Sequence, residues 1–469
     1  MSRQPASPQQ IHATLPFVIL ISCAAAAGGF LFGFDSSVIN GTVDALGKAF
    51  GTGAAGTGFS VASVLLGCAV GALFAGRLAN RFGRKPVMVL TSVLFVISAL
   101  GCAAAMNTET FVFFRLVGGL AVGAASVIAP AYIAEVSPAR LRGRLGTLQQ
   151  MAIVIGIFMA FVSNYLLAYI AGGVTNELWL SVSAWRWMYG VEAVPALLYG
   201  IGALLIPESP RFLVQQGRDE EAAIVLERVG EPDVPMRLRE IRRTVDSDHK
   251  PRLSDLLGPN GLPQRIVVVG MLLSAFQQFV GINVIFYYGA VLWSAVGLSE
   301  QNSLLINIIT GTVNVGSTVV AIMFVDRVGR RPLLLAGSVG MAITLGLMSF
   351  LFSGAPVGAD GNLQLTRTVG IVALVAANMF VFSFGVSWGP VVWVMLGEMF
   401  NNRIRALALA IGAAVQWIAN FAITMTFPLM LHGLGLGFAY GIYAAAAVLS
   451  GIFVLTMVKE TKGMALEDM

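Results

Sequence analysis

Three charged residues stand alone in apolar sequence: Asp35 in GGFLFGFDSSVING, Arg115 in FFRLVGGLAVG and Glu192 in YGVEAVPALL. An ionised side chain deep in hydrocarbon costs several kcal/mol unless it is paired, neutralised or hydrated. Pairing Asp35 with Arg115 relieves both costs, and Glu192 adds a third charge to the same half of the chain. Two readings fit. The pair is a fixed bridge that holds helices together, or it is a proton site whose protonation frees Arg115 and biases a conformational switch. A second group of residues is polar but uncharged: Gln277, Gln278, Asn283, Tyr287, Asn314, Trp393, Gln416 and Asn420, all inside apolar runs of the second half. Amides, a phenol and an indole plate suit a neutral, many-hydroxyl ligand with an apolar ring face. Singly, each amide could simply bond a neighbouring helix for about 0.6 kcal/mol. So many polar side chains in one half exceed what such bonding needs.

The elements that must carry these residues are membrane helices. The 469 residues are 57% hydrophobic and only 11% charged, with mean hydropathy +0.81. That is about half the charge of a soluble chain. Apolar runs long enough to cross a bilayer core fall near 15–43, 59–79, 87–106, 111–134, 146–170 and 186–206. After a polar stretch, six more fall near 265–297, 304–325, 333–353, 367–396, 406–431 and 436–458. The chain is therefore expected to be an all-α membrane protein, with a six-helix bundle at 1–206, linker helices at 207–264, and a second bundle with a short tail at 265–469. Charged patterns such as EEAAIVLERV read as surface helices of that linker. The small-residue run Ala24 to Ala27 could imitate a leader cleavage site, but the apolar run continues past it, and cleavage would discard Asp35.

Cys23, Cys68 and Cys102 lie in separate apolar runs, and His12, His249 and His432 are scattered. No metal, cofactor or catalytic constellation is expected, and the chain is not expected to be an enzyme. The sequence pI near 9.2 reflects where basic residues sit rather than nucleic-acid binding. Of the 29 lysines and arginines, 25 fall on one face of the twelve-span arrangement, and Lys48, Arg186 and Arg367 fall on the other, with Arg115 inside a span. The loaded face is expected to be cytoplasmic, as are both termini.

The halves repeat. NRFGRKP at 80–86 matches DRVGRRP at 326–332, 246 residues on; AEVSPARLRG matches GEMFNNRIRA, with Glu135 and Arg142 each 263 residues before Glu398 and Arg405. PESPR at 207–211 recurs as KETKG at 459–463. Parallel six-helix halves are a transporter architecture in which substrate is held near the midplane between them. In the seventh run, a straight helix would turn Asn283 about 140° from Gln278, so a break at Gly281 is expected. Gly385, Gly389 and Pro390 could break the tenth run before Trp393. Glu135, Arg142 and the loop residues Arg81, Arg84, Asp326, Arg327 and Arg330, with Glu398 and Arg405, are expected to form a cytoplasmic gate of ion pairs.

With these motifs in view, the chain resembles the sugar porter family of the major facilitator superfamily over nearly its whole length. GRLANRFGRKP, RGRLGTLQQMAIVIG, PESPRFL, QQFVGINVIFYY, VDRVGRRP, SWGPVVWVMLGEMF and ETKG carry the resemblance, in order and at the expected spans. It departs at Asn80, where the loop motif more often has Asp; Asp326 keeps the acid in the second half. Its appearance is nearest to bacterial proton-coupled xylose and glucose symporters. The resemblance implies the major facilitator fold, proton-coupled import of a neutral monosaccharide into the cell by alternating access, and sugar ligands at the polar positions above plus Gln150. Proton-coupled members keep an acid at Asp35 where animal facilitators have Asn. At Ile157 some xylose symporters carry Gln, which tilts the expected substrate toward a hexose. The expected partners are a sugar, protons and lipid, with a monomeric chain. The alternatives are a passive sugar uniporter and a sugar sensor, which would favour a longer cytoplasmic tail than the dozen residues after the last run. A drug antiporter would want a more apolar cavity.

Overall fold

The computed structural model describes the backbone of residues 8–138, 141–246, 253–258, 260–356, 363–400 and 404–461; side chains are described from Leu15 onward, apart from 142–143, 246, 326 and 405–406. Twelve helical spans are long and apolar enough to cross a membrane. In the first half, span 1 is Leu15–Gly41, span 2 Ala54–Phe82, span 3 Arg84–Ala104, span 4 Thr108–Val136, span 5 Arg144–Ala171 and span 6 Ala184–Leu205. In the second, span 7 is Arg265–Ala295, span 8 Glu300–Val325, span 9 Arg330–Ser353, span 10 Arg367–Glu398, span 11 Leu407–Gly433 and span 12 Leu436–Met457. Between the halves lie three short helices, Pro210–Gln215, Asp219–Arg228 and Val234–Asp246, which share a small apolar core of Leu213, Val214, Ala222, Val225, Leu226 and Ile241.

Lipid is as apolar as leucine, so helices associate through close packing rather than hydrophobic burial. Spans 2 and 4 show how the sequence arranges this. Gly67 and Gly71 face Gly119 and Gly123, and a methyl group at any of the four would sit 2.0–2.3 Å from a backbone carbonyl of the other helix. Within the second half, spans 9 and 12 pack similarly closely. The halves meet along spans 2 and 11 and along spans 5 and 8.

Three spans are broken. Span 7 divides into Arg265–Phe279 and Ile282–Ala295 at Gly281, whose φ of 80° suits glycine. Span 10 divides at Ser387 into Arg367–Val386 and Trp388–Glu398, between the glycines the sequence singles out. Span 6 divides into Ala184–Gly190 and Ala193–Leu205, which places Glu192 at the break. Non-helical backbone at membrane depth is tolerated where it faces protein or a polar cavity, and the breaks of spans 6 and 7 lie at Glu192 and between Gln278 and Asn283.

Candidate functional site

Asp35 and Arg115 do meet. Arg115 Nη1 donates to Asp35 Oδ1 and to the Asp35 carbonyl, each at 3.1 Å, with the side chains 1% and 0% exposed. Gly118, one turn along span 4, lets the acid close in: a Cβ there would lie 3.2 Å from Asp35 Oδ1. Glu192 is fully buried and within the electrostatic field of both charges. The bridge is incomplete. Asp35 Oδ2, Arg115 Nε and Nη2, and both carboxylate oxygens of Glu192 have no protein partner. A purely structural ion pair is stable in low dielectric only when its remaining hydrogen-bonding groups are also satisfied, so this one is poorly built as a fixed strut.

The polar residues of the second half gather around the break in span 7. Gln277 Nε2 donates to the carbonyls of Trp388 (2.9 Å) and Gly389 (3.1 Å), joining the two broken helices. Gln278 Nε2 reaches Gln277 Oε1 at 3.3 Å, and Asn283 Nδ2 donates to Gln278 Oε1 at 2.5 Å. The kink at Gly281 is what brings Gln278 and Asn283 together despite their angular separation. Asn420 Nδ2 lies 3.4 Å from the Tyr287 hydroxyl, and Thr424 Oγ1 donates to Asn420 Oδ1 at 3.1 Å. Gln277, Gln278, Tyr287, Asn314 and Asn420 are all 3–5% exposed. Gln150 and Gln416 are half-buried, and Gln416 Oε1 has no protein partner. The two indoles of span 10 differ in kind. Trp388 is buried, its Nε1 donating to the Leu334 carbonyl and Ser338 Oγ at 3.0 Å, whereas Trp393 is 40% exposed.

Charge and amide clusters touch through span 1. Ser36, next to Asp35, approaches the Tyr287 hydroxyl that Asn420 also meets.

The loop acids are held within each half. Arg84 Nη2 meets Glu135 Oε1 at 2.8 Å; Ser209 Oγ donates to Glu135 Oε2 at 2.5 Å; Glu208 accepts the backbone N–H groups of Arg84 and Lys85. In the second half Arg330 grips Glu398 in a bidentate pair (3.0 and 2.7 Å), Thr461 Oγ1 donates to Glu398 Oε2 at 2.7 Å, and Glu460 accepts from the N–H groups of Arg330 and Arg331. The repeat is thus atomic as well as sequential. The side chains of Arg142, Asp326 and Arg405 lie outside the described residues. Arg81 is exposed over the Phe82 ring, and Arg327 is also exposed. Among the described residues, Glu135 bonds Arg84 and Ser209 and Glu398 bonds Arg330 and Thr461, rather than groups of the opposite half.

A contact with no signal in the sequence joins the halves at the end opposite the basic loops. Asn40, in the 3-10 turn that ends span 1, donates from Nδ2 to the carbonyls of Ile285 (3.2 Å) and Phe286 (2.9 Å). Its Oδ1 accepts from the Ala290 N–H (2.9 Å) and Asn307 Nδ2 (2.8 Å). Glu300 Oε1 accepts from the Val174 N–H at 2.7 Å, so that end is bonded shut.

Two parallel repeats of six spans, broken helices that meet at mid-membrane, and a polar cluster between them define a secondary transporter. The chain belongs to the "Sugar (and other) transporter" family, whose model matches residues 21–469. It is 59% identical to the glucose transport protein of Synechocystis sp., over 99% of both chains, and 38% identical to the D-xylose-proton symporter of Escherichia coli K12, over 97% and 95%. Its fold is similar to the inward-open xylose transporter XylE of E. coli, with TM-score 0.81 and 37% identity over 96% and 98% of the two chains. The same comparison with that symporter bound to 6-bromo-6-deoxy-D-glucose gives 0.79, covering 97% and 98%. It is a multi-pass membrane transporter, not an enzyme.

Proposed function

We propose that this protein imports a neutral monosaccharide, glucose or xylose before galactose, together with a proton, by alternating access, with the basic loops and both termini in the cytoplasm and the chain acting as a monomer. The observation that carries the proton is the half-satisfied Asp35–Arg115 pair, fully buried and with Glu192 beside it. A group that must gain and lose a proton needs an environment in which neither state is locked. Similarity to a glucose transport protein and a D-xylose-proton symporter supports the substrate class, as does the uncharged amide cluster at Gly281.

In this reading the sugar enters from the side opposite the basic loops and bonds Gln278, Asn283, Gln277, Gln416 and Asn420, with Gln150 from the first half and Trp393 as the ring plate. Protonation of Asp35 releases Arg115. Ser36 then moves relative to Tyr287, so that proton occupancy alters the seat of the broken span 7. One proton descending 100 mV is worth about 2.3 kcal/mol, enough for about fifty-fold accumulation at about 1.4 kcal/mol per decade. Asp35→Asn imitates the protonated acid. In proteoliposomes it should keep sugar exchange and lose both uphill accumulation and sugar-induced alkalinisation of the outer medium. If the wild-type protein shows exchange without alkalinisation, it is a uniporter and Asp35 is only Arg115's partner.

A further inference from the structure

Buried polar atoms are nearly always hydrogen-bonded, yet the first half contains a line of them without a protein partner. Beyond Asp35, Arg115 and Glu192, the Tyr199 hydroxyl, both amide atoms of Gln149 and the Ser22 hydroxyl are unpartnered; their residues are 1%, 8% and 0% exposed. Their positions form a sequence. Span 6 runs toward the basic loops, and Tyr199 follows Glu192 by seven residues, on the same helix face and about 10 Å further along. Span 1 runs the opposite way, so Gly28, seven residues before Asp35, is also about 10 Å nearer those loops. The Tyr199 hydroxyl rests against Gly28, where a Cβ would stand 3.0 Å from Oη. The Gln149 amide rests against the next residue, Gly29, where a Cβ would stand 2.7 Å from Nε2. Ser22 lies on the Gly29 face, two further turns toward the loops. The glycines let two polar tips touch span 1 at one level, halfway between the acid and the basic end.

An apolar residue would pack better at each of these sites, since an unsatisfied buried group costs about 1–3 kcal/mol. Water satisfies such groups where several converge, and polar lines inside membrane helices mark proton relays. We propose that the proton leaving Asp35 reaches the cytoplasm along this track, through Glu192 and then past Tyr199 and Gln149. This rests on the reading of Asp35 as the proton site. The Asp35 carboxyl gives its proton, through water, to the Glu192 carboxylate, and Arg115 re-pairs with the anion left behind. Glu192 passes a proton to the next water. The Tyr199 hydroxyl accepts a proton on oxygen as it gives up its own, ending unchanged. Gln149 carries none: its carbonyl and N–H₂ orient the water file toward Ser22. One proton enters and one leaves, with no net change in any residue.

Tyr199→Phe and Gln149→Met test the track in proteoliposomes of the full chain. Each variant should slow the initial rate of sugar-coupled proton movement at least fivefold while leaving sugar counterflow, which needs no net proton release, within twofold of wild type. Coupled rates within twofold of wild type in both variants would overturn the track and leave Asp35 untouched. Loss of counterflow in parallel with coupling would overturn it too, by showing a structural role. No sugar-coupled proton movement in wild type would remove the Asp35 reading itself, and the track with it.

Discussion

Asn40→Ala should release the end of the molecule opposite the basic loops. The asparagine makes four hydrogen bonds from span 1 to spans 7 and 8. Interhelical hydrogen bonds inside membranes average about 0.6 kcal/mol each, so removing four weakens the closed arrangement by about 2.4 kcal/mol. At about 1.4 kcal/mol per decade, that moves the closed-to-open ratio about fifty-fold. Ala290 N–H keeps a helical alternative, but the Asn307 amide next to Gly289 loses its partner, which adds to the shift rather than opposing it.

The readout is accessibility. A single cysteine at Ser294, on the final turns of span 7, in a background with Cys23, Cys68 and Cys102 replaced, would be labelled by a membrane-impermeant maleimide added to that side. Labelling should accelerate by more than tenfold in Asn40→Ala, up to the limit set when the open state dominates. Sugar affinity measured from that side should improve in step, since the competent fraction rises. A labelling rate within threefold of the parent would show that Asn40 does not govern closure.

Gln278→Ala or Asn283→Ala should weaken sugar binding by about 1–3 kcal/mol, roughly ten- to hundred-fold, because each removes a desolvated hydrogen bond; unchanged affinity by titration calorimetry in both would refute the site. Trp393→Ala should also weaken binding, whereas Trp388→Phe should lower the thermal midpoint, since the Trp388 indole N–H is bonded inside the protein; a midpoint equal to wild type would contradict this. Glu398→Gln should loosen the bidentate grip of Arg330 and shift the conformer balance toward inward-open while leaving sugar binding measurable; unchanged labelling of the cytoplasmic cavity would refute a gating role.

Much of this architecture is legible in the sequence because membranes enforce it. Span length, basic-residue bias and the 246-residue echo of GRKP as GRRP follow from hydrocarbon thickness and duplication, and the glycine break in span 7 follows from the conflict between Gln278 and Asn283. The loop residues are legible in the sequence as a group of ion pairs, but not pair by pair: Glu135 bonds Arg84, fifty-one residues back, because the turn at Gly83 delivers that guanidinium to the end of span 4. Asn40 is not legible in the sequence for a related reason. An asparagine in VING reads as a helix end, and only the tertiary approach of spans 7 and 8 gives it four partners.

The two halves do different chemistry, and span 1 is where they are made to agree. The charges Asp35, Arg115 and Glu192, buried deep within spans, lie in the first half, and the cluster of neutral amides lies around the broken spans of the second. A carrier with those properties on rigid, separate bodies would bind both ligands without linking them. Here Asp35, Ser36 and Asn40 occupy less than two turns of one helix. The first answers to Arg115, the second approaches the Tyr287 hydroxyl, and the third holds the carbonyls of Ile285 and Phe286. In the proposed coupling, a change in Asp35's pairing reaches the same short segment of span 7 that carries Asn283 and Tyr287. Because that segment hinges at Gly281, a small rotation of span 1 can move it without disturbing Gln277, which is tied to span 10. In the proposed coupling, linkage in the other direction follows from reciprocity: sugar that stabilises one seat of the segment alters the proton affinity of Asp35 by the same factor.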